Sequence, residues 1–168
     1  MTARQAGSEG DGAGRPEQPY DLVAGLVREA TIVATVELER VLRDLGWPED
    51  AVRAAIAGAV PDLHLGAAVV LVEDPTEGRL AFAEPTTEGR LAATLARHGE
   101  GPCGRYLGFP APASPDALDA FRRRAAAGGV PISRVEDGPF GPSVLLLTGP
   151  VTGPHLIVAE RRPVPSPP

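Results

Sequence analysis

The sequence lacks several residue types, and each absence excludes a class of chemistry. It has no lysine, since all 16 basic residues are arginine, which excludes Schiff-base and pyridoxal enzymes and P-loop nucleotide hydrolases. Cys103 is the single cysteine, so an internal disulfide, a cysteine-based zinc cluster and an iron–sulfur centre are excluded, and a reducing cytoplasm is the expected compartment. No apolar run approaches the ~20 residues of a membrane-spanning helix.

The charge balance limits the partners in the same way. Acidic residues outnumber basic ones by 22 to 16, which gives a formal net charge of −6. An excess of negative charge disfavours nucleic acids and anionic membrane surfaces, so we expect neither as a partner. The first 19 residues contain no apolar segment of the kind found in a secretory signal.

The two ends of the sequence differ from its middle. Residues 1–18 and the Pro-rich residues 163–168 contain little that a core would bury, and this composition predicts disordered tails. The sequence therefore predicts one folded domain over residues 19–162, which is long enough to bury a substantial core.

The middle of the chain carries both strand and helix patterns. Helical spacing of apolar residues, ended by Gly46 and Pro48, predicts a helix over 31–45. Two apolar runs on either side of the turn sequence 74–78 predict a β-hairpin. The predicted strands are 20–27, 67–73, 79–84, 105–109, 130–135, 143–148 and 155–160. The other predicted helices are 87–98 and 114–127, with a short helical turn at 50–59.

An internal repeat organises these elements. The segment TEGRLAFAEP at 76–85 aligns without gaps with TGPHLIVAER at 152–161, and the two share threonine, leucine, alanine and glutamate. Each copy closes a run of one strand, one helix and further strands. The repeat predicts an α+β fold of two modules, at about 20–85 and 102–162.

Three longer segments carry a family resemblance. They are AEPTTEGRLAATLARHGEGPCGRYLGF (83–109), SPDALDAFRRRAAAGGVPIS (114–133) and GPSVLLLTGPVTGPHLIVAER (141–161). The order of these three segments resembles that of the vicinal oxygen chelate superfamily, and most closely that of its methylmalonyl-CoA epimerase branch. The resemblance covers about residues 20–162. The resemblance implies two βαβββ modules that form a curved, cup-like mixed sheet with helices outside. Members often dimerise, so a homodimer is one expected assembly.

The resemblance also implies a divalent-metal site, but the matching positions lack suitable donors. Family enzymes bind the ion through four side chains, on the first and last strands of each module. In this sequence those positions correspond to Leu22, Ala81, Gly104 and either Ile157 or Val158. None of these side chains offers a carboxylate, imidazole or thiolate. We therefore expect neither a metal ion nor another cofactor.

On the register implied by the family, mainly small and apolar residues face the inside of the sheet. Leu22, Ala81 and Gly104 belong to this set, and Arg79 and Tyr106 are its polar members. Such a lining predicts a pocket for a small, largely apolar organic molecule. Arg79 follows a turn and equally suits a solvated hairpin end, whereas Tyr106 also suits a packing role.

The last strand leaves two substrate-contacting residues as alternatives. The repeat makes His155 equivalent to Arg79, which places His155 inside. A shift by one residue would turn His155 outward and bring Glu160 in.

Asp62 and His64 are the remaining candidates for acid–base chemistry. In the epimerases, a loop before the second strand supplies a catalytic base, and the matching loop here is Val60-Pro61-Asp62-Leu63-His64. A carboxylate or imidazole at a pocket mouth can act as a general base when its surroundings tune its pKa. With Tyr106 they form the predicted catalytic set. The alternative interpretation is an ordinary loop aspartate and a surface histidine.

Three functions fit these features. The leading hypothesis is a metal-independent isomerase, cyclase or dehydratase acting on a small, largely apolar or acyl substrate of polyketide-like metabolism. The second is a non-catalytic small-molecule binder similar to antibiotic-resistance proteins, although such binders have aromatic-rich grooves and only 4% of this sequence is aromatic. The third is a non-catalytic partner of a larger enzyme.

Overall fold

The structure is a computed structural model that describes residues 19–161, with side chains from residue 21 onward. The predicted disordered tails at 1–18 and 163–168 lie outside the described residues. The first module contains α1 (Pro19–Val23), β1 (Val27–Ala34), α2 (Leu38–Asp44), α3 (Glu49–Ala57), β2 (Val60–Asp62), β3 (Ala67–Asp74) and β4 (Gly78–Pro85). After α4 (Arg90–His98), the second contains β5 (Gly101–Gly108), α5 (Ala117–Ala127), β6 (Glu136–Gly138), β7 (Gly141–Leu145) and β8 (His155–Ala159).

All eight strands form one mixed sheet, in the order β2-β3-β4-β1-β5-β8-β7-β6. The first strand of each module lies at the centre, where β1 and β5 pair antiparallel. Each also pairs in parallel with the last strand of its own module, β1 with β4 and β5 with β8. The two edge strands, β2 and β6, contact each other, so the sheet curves almost into a closed ring. The expected α+β fold of two βαβββ modules is confirmed.

Three apolar clusters hold the sheet and helices together. The inner face of the sheet packs against Leu91 and Leu95 of α4. On the outer face, α2 and α3 cover the first module, and α1 and α5 cover the second. The helices other than α4 thus lie outside the curved sheet. None of the helices within residues 19–161 is long and apolar enough to cross a membrane.

The start of the first module differs from the prediction. Residues 20–27 were expected to form a strand and 31–45 a helix, but 19–23 are helical, β1 occupies 27–34 and α2 begins only at Leu38. Gly25 adopts φ 85°, a conformation that suits the end of a helix and not a strand. In β1, β-branched residues and an alternating burial pattern favour the extended chain.

Other elements agree with the prediction more closely. The hairpin is confirmed as β3 and β4, which pair from Ala67 with Pro85 to Asp74 with Gly78. Helices α3, α4 and α5 and strands β5, β7 and β8 lie where expected, with shifted ends. The predicted strand at 130–135 is reduced to one bridge between Ile132 and Leu146. The third strand of module two is instead the short, polar β6.

Candidate functional site

The strand register reveals an internal two-fold relation that defines equivalent positions in the two modules. Across the β1–β5 pair, Ala30 lies beside Tyr106 and Ile32 beside Gly104. A two-fold axis through the central pair Thr31–Arg105 exchanges the two strands. It makes Ala30 equivalent to Gly104 and Ile32 equivalent to Tyr106. The register of each last strand makes Ala81 equivalent to Ile157 and Arg79 equivalent to His155.

This relation corrects the expected role of Leu22. Because residues 19–23 form a helix, Leu22 lies on the outer face of the sheet, in the cluster with Phe121 of α5. The first-strand position equivalent to Gly104 is Ala30, which is 1% exposed on the inner face. In β8, Ile157 belongs to the inner cluster and Val158 to the outer one.

The four central inner positions are therefore Ala30, Ala81, Gly104 and Ile157, and they do not fit a divalent metal ion. No side chain among them has a donor atom. Gly104 also has no room for one, because an added Cβ would lie 2.9 Å from the Cβ of His155 and overlap its carbonyl oxygen. Within residues 19–161, no group of three His, Cys, Asp or Glu side chains is arranged to hold a metal.

Asp62 and Tyr106 meet inside the sheet. Asp62 is the last residue of β2 and Tyr106 lies near the end of β5, and each is 1% exposed. The Tyr106 hydroxyl donates a hydrogen bond to Oδ2 of Asp62, while Oδ1 accepts one from the amide of Leu65 at 3.0 Å. Burial, reinforced by the Asp62 carboxylate, raises the pKa of Tyr106 well above its usual value. At neutral pH the hydroxyl keeps its proton.

His64 follows the edge strand β2 and contacts residues at the opposite end of the sheet. Its Nε2 donates to the backbone oxygen of Ser143 on β7 at 3.1 Å, and its Nδ1 lies 3.3 Å from Oγ of Ser133. The ring is half-buried. The structure thus places His64 in the contact between the two modules, rather than at an open pocket mouth.

His155 faces inward and Glu160 does not. His155 is 2% exposed, and its Nε2 lies 2.9 Å from Oγ1 of Thr94 on α4. Burial lowers the pKa of His155 to about 4, and the nearby Arg90 guanidinium acts in the same direction, so the ring is neutral at pH 7. Glu160 follows the end of β8 in alternation with Val158, on the outer face.

Arg79 lies at the rim of the inner face. It forms an ion pair with the exposed Glu73 of β3. Its guanidinium carbon is 5.9 Å from the centre of the Phe140 ring, which in turn lies 5.1 Å from the Tyr106 ring. Arg79, Phe140 and Tyr106 therefore contact one another in a row from the rim to the buried Asp62.

A cavity of about 340 Å³ opens beside His155, where α4 ends, β5 begins and residues 152–154 lead into β8. Thr94, which hydrogen-bonds His155, is part of its wall, and so are Cys103 and Gly153. Burial raises the pKa of the Cys103 thiol to about 11, so this wall carries an uncharged thiol at neutral pH. The remaining lining residues are His98, Gly99, Glu100, Gly101, Pro102, Thr152 and Pro154.

Sequence reasoning missed Thr94, Phe140 and the cavity. Thr94 carried a signal, because it interrupts the apolar stripe of α4 formed by Leu91 and Leu95. A polar residue on the buried side of a helix needs a partner. Phe140 lies in the loop-like segment between β6 and β7, and nothing in its spacing indicated an inward position.

Comparisons with known proteins agree with this architecture. No family model and no curated protein matches the sequence. Solved structures do match. A hypothetical protein from Bacillus halodurans has a TM-score of 0.59 at 15% identity, covering 84% of this chain and 99% of its own. Methylmalonyl-CoA epimerase from Mycobacterium tuberculosis has a TM-score of 0.56 at 18% identity, covering 84% and 91%.

A further methylmalonyl-CoA epimerase, solved in complex with methylmalonyl-CoA and NH4+, has a TM-score of 0.55 at 23% identity, covering 84% of this chain and 99% of its own. At these identities the similarity establishes the fold alone. Two βαβββ modules around one curved sheet, together with these structural matches, show that the chain has the vicinal oxygen chelate fold.

Proposed function

We propose that this protein binds a small, largely apolar organic or acyl molecule, without a metal ion, in the cavity beside Thr94 and His155. The observation that carries the proposal is the cavity itself, which combines a small and mostly apolar lining with a buried polar wall. That combination is typical of sites for organic ligands.

The size of the cavity limits the ligand. Ligand pockets generally span roughly 300–1,000 Å³, and this one holds about 340 Å³. Such a volume suits an acyl group or a single ring with its substituents, and any larger carrier would remain outside. His98 and Glu100, both exposed, stand at the opening. The centre of the inner face, by contrast, is filled by Tyr106, Phe140 and Ile157.

The absence of metal ligands supports a metal-independent site. The central positions that would supply donors in this fold are Ala30, Ala81, Gly104 and Ile157. Orientation of the ligand would then come from the shape of the cavity and from hydrogen bonds at its wall, as in other apolar pockets with a few placed polar groups.

One observation favours a catalytic version of this proposal, an isomerase, cyclase or dehydratase for a polyketide-like substrate. Thr94 lies between the cavity and the neutral imidazole of His155. The buried Asp62–Tyr106 pair is close enough for the Asp62 carboxylate to act on the pKa of His155. A neutral imidazole can act as a general base, and a proton from the ligand would reach His155 through the Thr94 hydroxyl, which lies between the imidazole and the cavity.

Binding is tested by thermal unfolding with propionyl-CoA, methylmalonyl-CoA and short acyl N-acetylcysteamine thioesters. A ligand at about 100 times its Kd stabilises the protein by about 2.7 kcal/mol, which raises the melting temperature by several degrees. Thr152→Trp fills the cavity and should abolish the rise. Ala120→Trp fills the separate outer groove between α1 and α5, so it should leave the rise intact.

Two results would overturn the binding proposal. One is an unchanged melting temperature with every compound. The other is stabilisation that survives Thr152→Trp as fully as it survives Ala120→Trp, because the ligand would then lie elsewhere.

Catalysis is tested separately by following exchange of the α-protons of each bound thioester in D₂O with ¹H NMR. An acid–base enzyme exchanges them, and Tyr106→Phe or His155→Gln slows the exchange. Binding without exchange would support the non-catalytic binder. Exchange at an undiminished rate in both variants would overturn the assignment of these residues.

A further inference from the structure

We propose that the cavity selects uncharged acyl groups and excludes acyl groups that carry a carboxylate, and that Glu100 at its opening contributes to this selection. This inference rests on the proposed function, because it specifies the substrate class of the same cavity. It follows from the charges at the opening and from the side chains that line the interior.

Glu100 places a negative charge at the opening of the cavity. Its Oε1 accepts hydrogen bonds from the Thr35 hydroxyl at 2.6 Å and from the Val36 amide at 2.9 Å. The bond from Thr35 is the largest cause that lowers the pKa of Glu100, and the bond from Val36 acts in the same direction. The carboxylate is therefore ionised at neutral pH, and the two bonds fix its position.

The cation that pairs with Glu100 belongs to a neighbouring cleft. Nη2 of Arg40 lies 2.5 and 2.7 Å from the two Glu100 oxygens. Glu100 lines both the cavity and this cleft of about 210 Å³, whereas Arg40 lines only the cleft, together with Val41 and Phe82. The ion pair therefore presents its carboxylate end to the cavity and its guanidinium end to the cleft.

The end of α4 adds partial negative charge at the same opening. The helix ends at His98, which lines the cavity together with Gly99. The last carbonyl groups of a helix have no partners within it, so a helix C-terminus carries roughly half a negative charge. Arg97, in the same turn, is exposed and does not line the cavity. The helix end and Glu100 thus both repel an anionic ligand.

The interior offers a carboxylate no compensating charge. No arginine within residues 19–161 lines the cavity. Inside the opening, the polar lining side chains are the hydroxyls of Thr94 and Thr152 and the thiol of Cys103. All three are uncharged at neutral pH, since burial raises the pKa of Cys103 to about 11, and the Thr94 hydroxyl already makes two hydrogen bonds within the protein. Removing a carboxylate from water without a charged partner is strongly unfavourable, whereas an alkyl or keto group costs far less.

Charge selection is measured by titration calorimetry with the 2-methylacetoacetyl and methylmalonyl thioesters of N-acetylcysteamine. The two compounds differ only in a methyl group that replaces one carboxylate oxygen. The titrations are run at pH 8, at which an ordinary imidazole is uncharged. The unmodified protein should bind the keto compound at least about thirtyfold more tightly. Equal or tighter binding of the methylmalonyl compound would overturn the inference.

The contribution of Glu100 is measured with Glu100→Gln. The glutamine can still accept hydrogen bonds from Thr35 and Val36, but it carries no charge and forms no ion pair with Arg40. Affinity for the methylmalonyl compound should rise about three- to tenfold, with the keto compound unaffected. Glu77→Gln, in the exposed turn between β3 and β4, changes the net charge equally and should alter neither affinity.

These outcomes separate the inference from the proposed function. If neither compound binds, the proposed function is overturned, and the selection with it. If both bind equally well, the proposed function stands and the inference fails. If Glu100→Gln behaves like Glu77→Gln, the part of the inference that concerns Glu100 is overturned. The comparison in the unmodified protein decides the selection whether or not Glu100→Gln folds.

Discussion

The two modules share one backbone register but differ in what they place on the inner face of the sheet. In module one, the inner positions of β1 and β4 are mostly apolar, with Ile32 and Ala81 at the centre. In module two, the positions equivalent to Ile32 and Arg79 are Tyr106 and His155, both buried. The cavity described above opens beside His155. The two modules thus share their strand pairing, but the buried Tyr106 and His155 of module two stand where module one has Ile32 and the half-buried Arg79.

The largest predicted effect concerns the central positions Ala30 and Gly104. Ala30 carries a Cβ without difficulty, but a Cβ at Gly104 would overlap the backbone of His155. Gly104→Ala should therefore cost more than about 3 kcal/mol of unfolding free energy in urea titrations.

Gly149→Ala is the matched control, since its added Cβ would meet only the Pro154 oxygen at 3.7 Å. It should change the stability by less than about 0.5 kcal/mol. Equal stability of the two variants would contradict the close β5–β8 approach that distinguishes module two.

The second prediction uses pH to test the buried, neutral state of His155, the module-two equivalent of Arg79. The pKa of His155 is about 4 in the folded protein and near 6.5 when unfolded. Between these values the unfolded chain binds the extra proton, so the His155 contribution to stability is lost as the pH falls from 6.5 to 4. The loss is up to about 1.4 kcal/mol per pH unit.

The check is unfolding free energy against pH in the unmodified protein and in His155→Gln. The difference between the two curves isolates the histidine from carboxylates that titrate at lower pH. Parallel curves would show that His155 is not buried in a neutral state.

The third prediction concerns the hydrogen bond that joins the modules, from Tyr106 to Asp62. Tyr106→Phe leaves Oδ2 of a buried carboxylate without its donor, which should cost about 2 kcal/mol. A double-mutant cycle with Asp62→Asn should show coupling of about 1 kcal/mol. The matched change in module one, Ile32→Val, removes only a methyl group and should cost about 1 kcal/mol, without coupling to Asp62. A cycle with zero coupling would mean that the bond does not form.

The sequence was most informative where hydrophobic pattern and turn chemistry agreed. The hairpin of β3 and β4 combines apolar runs with a strong turn between them, and helices α4 and α5 end at glycines. The gap-free repeat at 76–85 and 152–161 correctly indicated that Arg79 and His155 are equivalent. These features are local, and local signals are what a single sequence records best.

It was least informative where a pattern had two interpretations. Val33 and Val36 share a helical spacing with Leu38 and Leu42, yet Val33 belongs to β1 and only the last two lie in α2. Strands β2 and β6 have three residues each and gain their identity from pairing across the sheet. The same limit applied to the candidate site. Asp62 and Tyr106 were each predicted from the sequence, but their contact was not. That contact and the role of Thr94 depend on long-range packing, which residue spacing does not encode.

The smallest predicted effect compares Glu84 with Glu160, which are equivalent in the repeat. Oε2 of Glu84 accepts a hydrogen bond from the amide of Leu38 at the start of α2, at 2.8 Å. Oε1 of Glu160 is buried without a partner among the described residues. The reason lies in the connection to the helix, because residues 35–37 lead directly into α2 whereas the longer segment 109–116 precedes α5.

Glu84→Ala should therefore lower the unfolding free energy by about 1 kcal/mol, the usual cost of losing a helix cap. Oε1 of Glu160 is buried away from water but accepts no hydrogen bond from the described residues. Glu160→Ala should therefore leave the unfolding free energy unchanged or raise it slightly. Thermal unfolding of the two variants measures the difference, which corresponds to about 2–4 °C at this chain length. Equal destabilisation by both would mean that Glu160 also caps a backbone amide, and that the modules are more alike at this end than the strand connections indicate.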